Sequence, residues 1–305
     1  MSNILIVVSV DWEGRSLLSQ NLEVMASFRR KYPDIPFQHF LNAAYYTRAV
    51  VDVAKTTAAI RSTLLPEDEH GLHIHAWHSL LSAAGVAARH APRFLPEDLD
   101  LSAVKAPDDW GFYPEESGYD VPLEHFEVDE VDRMIQTSQA ILTAQGFRLA
   151  TTFRAGGWMS GRNVQEALAR NMISLDCSAV DPQVPFRRFG DIPLYRWVTE
   201  LWPGINDCSQ PHRVVTRAGD IWEIPNNAGL VDYTSTKEVV AIFQKNVAFW
   251  RESPNRHCVI STGFHQETAR KFLDRLDGAI EIVRGIADEE RLPLVFTARP
   301  QDFLH

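Results

Sequence analysis

Residues 4–13 read ILIVVSVDWE. The first seven are apolar or small, and most are β-branched. That is the pattern of a parallel strand buried on both faces, with no polar side to show to water. The run stops at Asp11 and Glu13. In α/β folds the chemistry collects where parallel strands end at their C-terminal side. Residues two apart on a strand point the same way. Two carboxylates on one side repel, so one of them is expected to bind a cation or pair with a base.

Strand and helix signals then alternate. Helices are expected at about 17–30, 47–63, 162–171, 236–252 and 267–288, with strands near 36–41, 71–75, 148–153, 172–176, 257–262 and 293–297. A further helix starts at Asp129. It carries Val131, Ile135 and Leu142 on one face, and Gly146 is its stop. Residues 182–235 read as several short strands broken by Pro and Gly, including IWEIP at 221–225. Repeated strand-then-helix order implies a mostly parallel sheet with helices outside. Seven or eight such units suggest an α/β fold closed into a distorted (β/α) barrel, one catalytic domain over 1–305. A long segment at about 79–127 interrupts the alternation. It is rich in Pro, Asp and Glu and holds Trp110, Phe112, Tyr113 and Tyr119, so it is read as a wall of a binding cleft.

The formal net charge of the 305-residue chain is −10, which repels phosphate backbones and argues against nucleic acid as a partner. No apolar run is long enough to span a membrane. The apolar start at Ile4 lacks a basic flank and runs straight into Asp11, so a buried strand fits better than a leader. The cysteines, Cys177, Cys208 and Cys258, are odd in number and widely spaced, and suit reduced thiols in a cytoplasmic protein.

Four further features carry chemistry. EHGLHIHAWHS at 69–79 holds His70, His73, His75 and His78, four of the chain's 11 histidines. Imidazole is a frequent ligand of zinc and similar divalent ions. His73 and His75 share a strand face, and His78 could return from the next turn; His70 reads as an ordinary core or surface residue. TFRAGGWMSG at 152–161 places Arg154 at a strand end, where a guanidinium can grip a carboxylate. Asp176 and His265 each end a predicted strand, and a histidine there suits proton donation.

Taken in order, these pieces resemble the polysaccharide deacetylases, the family 4 carbohydrate esterases. VSVDWEG, EHGLHIHAWH, FRAGGW, LDCSAVDP and HCVISTGFHQET resemble that family's five motifs, and the resemblance runs from residue 4 to about 297. It implies a distorted barrel of about seven strands with a metal at its mouth. It implies that Asp11 is the catalytic base, that Arg154 pairs with it, and that His265 protonates the leaving group. Asp176 would orient His265 or a neighbouring group. Glu13 would be a metal ligand where the family uses Asp. The family's two histidines stand four apart, but residue 77 is Trp. The ligand pair is therefore His73 with His78 first, and His73 with His75 as the alternative. Trp77 and Trp158 would face a sugar ring. The implied cofactor is a divalent metal, zinc first. The implied substrate is an acylated sugar or another N-acyl small molecule made inside the cell, and a homo-oligomer is possible. Two other readings stay open: an inactive barrel that binds a carbohydrate or other ligand, and another metal-dependent amide hydrolase using His73-x-His75.

Overall fold

A computed structural model describes residues 2–95 and 116–304. The run at 4–11 is strand β1, and all eight of its residues are buried. Strands β2 (Phe37–Asn42), β3 (Glu69–Ile74), β4 (Leu149–Ala155), β5 (Leu175–Asp176), β6 (His212–Val215), β7 (Asp220–Glu223), β8 (Cys258–His265) and β9 (Leu294–Phe296) complete one sheet. Its order is β6-β7-β5-β4-β3-β2-β1-β8, with β9 also on β1. Every pairing is parallel except β6 with β7, an antiparallel edge. The sheet curls into a half-barrel, as the α/β alternation implied.

Helices cover the outside: α1 (Ser19–Lys31), α2 (Val53–Arg61), α3 (His78–Ala83), α4 (Val128–Ala144), α5 (Arg162–Arg170), α6 (Gln183–Phe189), α7 (Pro193–Leu201), α8 (Thr236–Glu252) and α9 (Ala269–Glu290). Their boundaries follow local chemistry. Ser235 and Glu238 form a capping box at the start of α8, satisfying two backbone N–H groups that the helix itself leaves open. Val239, Ile242, Phe243 and Val247 then recur at helical spacing and are buried. Gly146 ends the α4 region at φ +77°, a left-handed turn that favours glycine.

Residues 182–235 differ from expectation. Only β6 and β7 form there, and α6 and α7 occupy 183–189 and 193–201. Pro193 is the reason for one of these: it stands in the first turn of α7, where its missing N–H costs nothing. Of the aromatics expected to wall a cleft, Tyr119 is described; Trp110, Phe112 and Tyr113 lie outside the described residues. No helix among the described residues is long and apolar enough to cross a membrane.

Candidate functional site

Sheet register assembles the site. Asp11 at the end of β1 pairs with His265 at the end of β8. His73 of β3 pairs with Arg154 of β4. Four strand ends therefore bring four motifs to one mouth, where Asp11, Glu13, His73, His75, Trp158 and His265 all line one cleft.

Glu13 lies at the centre. Its Oε1 is 3.4 Å from His73 Nε2 and 3.3 Å from His265 Nε2, and its Oε2 is 3.1 Å from His75 Nε2. Burial alone would push its carboxyl up. The imidazoles of His75, His265 and His73 outweigh that and hold it well below the usual carboxylate range. The backbone fixes both strand histidines. His73 Nδ1–H donates to the Arg154 carbonyl at 2.8 Å, and His75 Nδ1–H to that of Tyr119 at 2.5 Å. Nε2 is thus the ring nitrogen of each that faces Glu13. Both Nε2 atoms are buried without a hydrogen bond. One ligand atom from each of Glu13, His73 and His75 lies within 4.8 Å of the others. A buried carboxylate beside two imidazoles whose Nδ1 atoms are held by backbone carbonyls is a donor set that fits a divalent ion.

Gly156 explains the double glycine in FRAGGW, because a Cβ there would collide with the His75 ring. The expected partner His78 does not join the cluster. It is exposed, it opens α3, and its backbone N–H donates to the Ser117 carbonyl. The alternative, His75, takes the place.

Arg154 and Asp11 meet as expected. Arg154 Nη1 donates to Asp11 Oδ1 at 2.8 Å and to Ser9 Oγ at 2.7 Å, while Nε donates to the Cys177 carbonyl at 2.8 Å. The guanidinium also lies 4.4 Å from the Phe40 ring centre. Asp11 is thereby held in one orientation on the cleft floor.

Two assignments shift. Asp176 does not reach His265. It accepts from Ser160 Oγ and Ser178 Oγ, both at 2.5 Å, beneath β4. Burial pushes its carboxyl up to about 6, against the lowering effect of those hydroxyls. His265 Nδ1 faces Asp232 Oδ1 at 3.1 Å instead. Asp232 also accepts from the His265 backbone N–H at 3.1 Å and from the Thr268 hydroxyl. Trp77 does not face the cleft either: it is buried, stacks on Tyr119, and donates Nε1–H to the Glu13 carbonyl at 2.7 Å. Trp158 does line the cleft.

Sequence reading missed Asp232, Tyr233 and Glu267. Glu267 accepts from the Glu13 backbone N–H at 3.2 Å and the Tyr45 hydroxyl at 2.7 Å, bracing the turn that carries Glu13. Its carboxyl is raised by burial and by the nearby Glu13 charge. The sequence does hint at it, since Glu267 follows His265 by two residues.

No family model and no curated protein matches the chain. Solved structures do. A protein named as a polysaccharide deacetylase from Mycobacterium smegmatis superposes with TM-score 0.53 at 10% identity, covering 100% of this chain and 90% of its own. Another so named, from Pseudomonas aeruginosa PAO1, gives 0.51 at 9% identity, covering 98% and 89%. PuuE allantoinase gives 0.49 at 13% identity, covering 98% and 89%. At these identities the likeness is one of architecture, and the chain has the fold of the polysaccharide deacetylases.

Proposed function

We propose that this chain is a metal-dependent hydrolase that removes an acyl group, N-acetyl first, from a sugar or sugar-like amine. The observation that carries the reading is one juxtaposition. A Glu13/His73/His75 donor set lies at the same strand ends as an arginine-held carboxylate and a carboxylate-held histidine.

Glu13, His73 and His75 hold the ion, and zinc suits two imidazoles and a carboxylate. An ion bound there supplies Lewis acidity, polarising the acyl carbonyl and making water easier to deprotonate. Asp11 accepts the proton of the attacking water. Arg154 orients Asp11 by the contact at 2.8 Å. His265 donates a proton to the leaving nitrogen, and Asp232 fixes which ring nitrogen faces the cleft. Water's oxygen forms the new C–O bond, the C–N bond breaks, and a carboxylate and an amine leave. Asp176 acts at one remove: it binds Ser178 Oγ, which accepts from the Ala155 N–H at 2.9 Å, next to Arg154.

The test is acetate release from a panel of N-acetylated aminosugars by zinc-loaded protein. Turnover is expected to vanish with chelator, return with zinc, and fall about 100-fold or more in Asp11→Asn and His265→Ala. Full activity in chelated protein or in Asp11→Asn would overturn the reading.

A further inference from the structure

The polar side chains of the cleft are gathered at its floor. Above Asp11, Glu13, Arg15, His73, His75 and His265, the described lining changes character: Phe94, Leu95, Trp158, Phe189, Leu194 and Leu230 form most of the wall. The other polar side-chain groups on that described lining are the phenols of Tyr119 and Tyr233 and the indole N–H of Trp158. This collar is continuous with the reacting centre. The Tyr233 ring meets His265 edge-on at 5.7 Å between centres, and meets Trp158 at 5.4 Å and Phe189 at 5.7 Å. On the other side Phe94 lies 6.4 Å from the His75 ring.

The collar is also built in advance. Leu194 N–H donates to the Phe94 carbonyl at 2.9 Å, and Phe94 N–H to the Asp120 carbonyl at 2.8 Å. Trp202 Nε1–H holds the Trp158 carbonyl at 2.8 Å. Segments far apart in sequence are thus stitched together by two backbone bonds and the Trp202 indole.

A sugar ring inside such a wall would lose water from several hydroxyls and find few partners in exchange. An acetyl group has one methyl to bury, whereas this wall presents the side chains of Phe94, Leu95, Trp158, Phe189, Leu194 and Leu230. We propose that the cleft selects amides whose acyl group is a medium-length alkyl chain or an aromatic ring, with the amine portion directed to solvent. The proposal rests on the hydrolase reading above and revises its acyl group, putting a larger one in place of acetyl: the acyl group fills the collar, and its carbonyl reaches the floor.

The test uses hydroxamates of increasing acyl length, from acetyl through butanoyl and hexanoyl to benzoyl. Their binding to the full chain is measured by calorimetry with zinc and again with chelator. Burying each added methylene should tighten binding about fourfold up to hexanoyl. Leu194→Ser and Phe189→Ser should each cut that gain to below about twofold per methylene. A cooperative thermal transition shows that each variant is folded, and Phe189, which is only half-buried, is the safer of the two. A flat series, or an unchanged slope in both folded variants, overturns the collar. Zinc separates the two claims. Zinc-dependent binding with no length preference sinks the acyl selectivity alone. A length preference kept in chelator with no loss of affinity for any member of the series supports the collar and removes the metal from the site.

Discussion

Replacing Arg154 by methionine tests the polar floor most directly. The side chain is 1% exposed and its Asp11 partner 3% exposed, so neither charge can turn to water for compensation. Breaking a buried pair by removing one partner costs about 3–5 kcal/mol, because the remaining charge stays buried. The Cys177 carbonyl loses the Nε donor at 2.8 Å, worth about 1 kcal/mol more. Ser9 Oγ loses a donor but still donates to the Thr262 carbonyl at 3.1 Å. The single variant should therefore lose roughly 4–6 kcal/mol, comparable with a whole domain's margin at its low end. Asp11→Asn alone strands the arginine in turn. The double variant removes both charges, so it should lose at least about 2 kcal/mol less than the two singles added together. Urea unfolding at neutral pH in chelator measures all four corners of the cycle. Additivity within about 0.5 kcal/mol would show that the pair is not coupled and would refute the argument. Because His73 bonds the backbone carbonyl of residue 154, any variant that stays folded should keep its metal affinity.

Four other outcomes follow from the same geometry. One zinc per chain is expected by elemental analysis, with a gain of about 2.7 kcal/mol in unfolding free energy at a hundredfold excess over Kd; His75→Ala should abolish both and His78→Ala neither, and the reverse pattern would reinstate His78. Asp232→Asn should lower turnover about 10–100-fold while zinc content is kept; unchanged turnover would free His265 of any need for its carboxylate. Asp176, raised to about 6 by burial, binds a proton more tightly folded than unfolded, so it withdraws stability as pH rises from about 4 to 6, by up to about 3 kcal/mol. Asp176→Asn should thus fare better against wild type near pH 8 than near pH 4, and an equal difference at both would count against the shift. Trp77→Phe should cost about 1 kcal/mol, the hydrogen bond to the Glu13 carbonyl, and leave KM for aminosugars unmoved; a large KM change would return Trp77 to substrate binding.

Much of this arrangement was legible because strand ends announce themselves. The run at 4–10 is apolar until Asp11, and it lies buried along its whole length. Alternation alone put His73 and His75 on one face. The spacing implied by resemblance pointed to His78 instead. That spacing fails here because His75 directly follows the end of β3 at Ile74, whereas His78 already opens α3. The partner of His265 was hidden for a different reason. Asp232 reaches it from a loop that runs beside β8, where Ala228 N–H donates to the Ser261 carbonyl and Val231 N–H to that of Gly263, contacts no local pattern encodes. The helices at 183–189 and 193–201 were masked by their own Pro and Gly residues, which read as breaks but act as caps and turns. Trp77 shows the same limit in the site: its aromatic character was plain, but its face was not.

The pairing of Asp11 with His265 also bears on how the molecule comes to fold. β1 runs beside β8 over its full length and beside β9 at its start, partners made some 250 or more residues later in synthesis. Pairings of such wide sequence separation must wait for loop closure and slow the search. Strand β1, apolar on both faces, therefore stays unsheltered on one side until β8 has emerged. The Glu13/His73/His75 trio draws only on the first 75 residues, whereas the proton-handling histidine arrives last. In a nascent chain the ability to capture an ion should precede the ability to use it, and an ion held early would pin β1 to β3 while β8 is still being made.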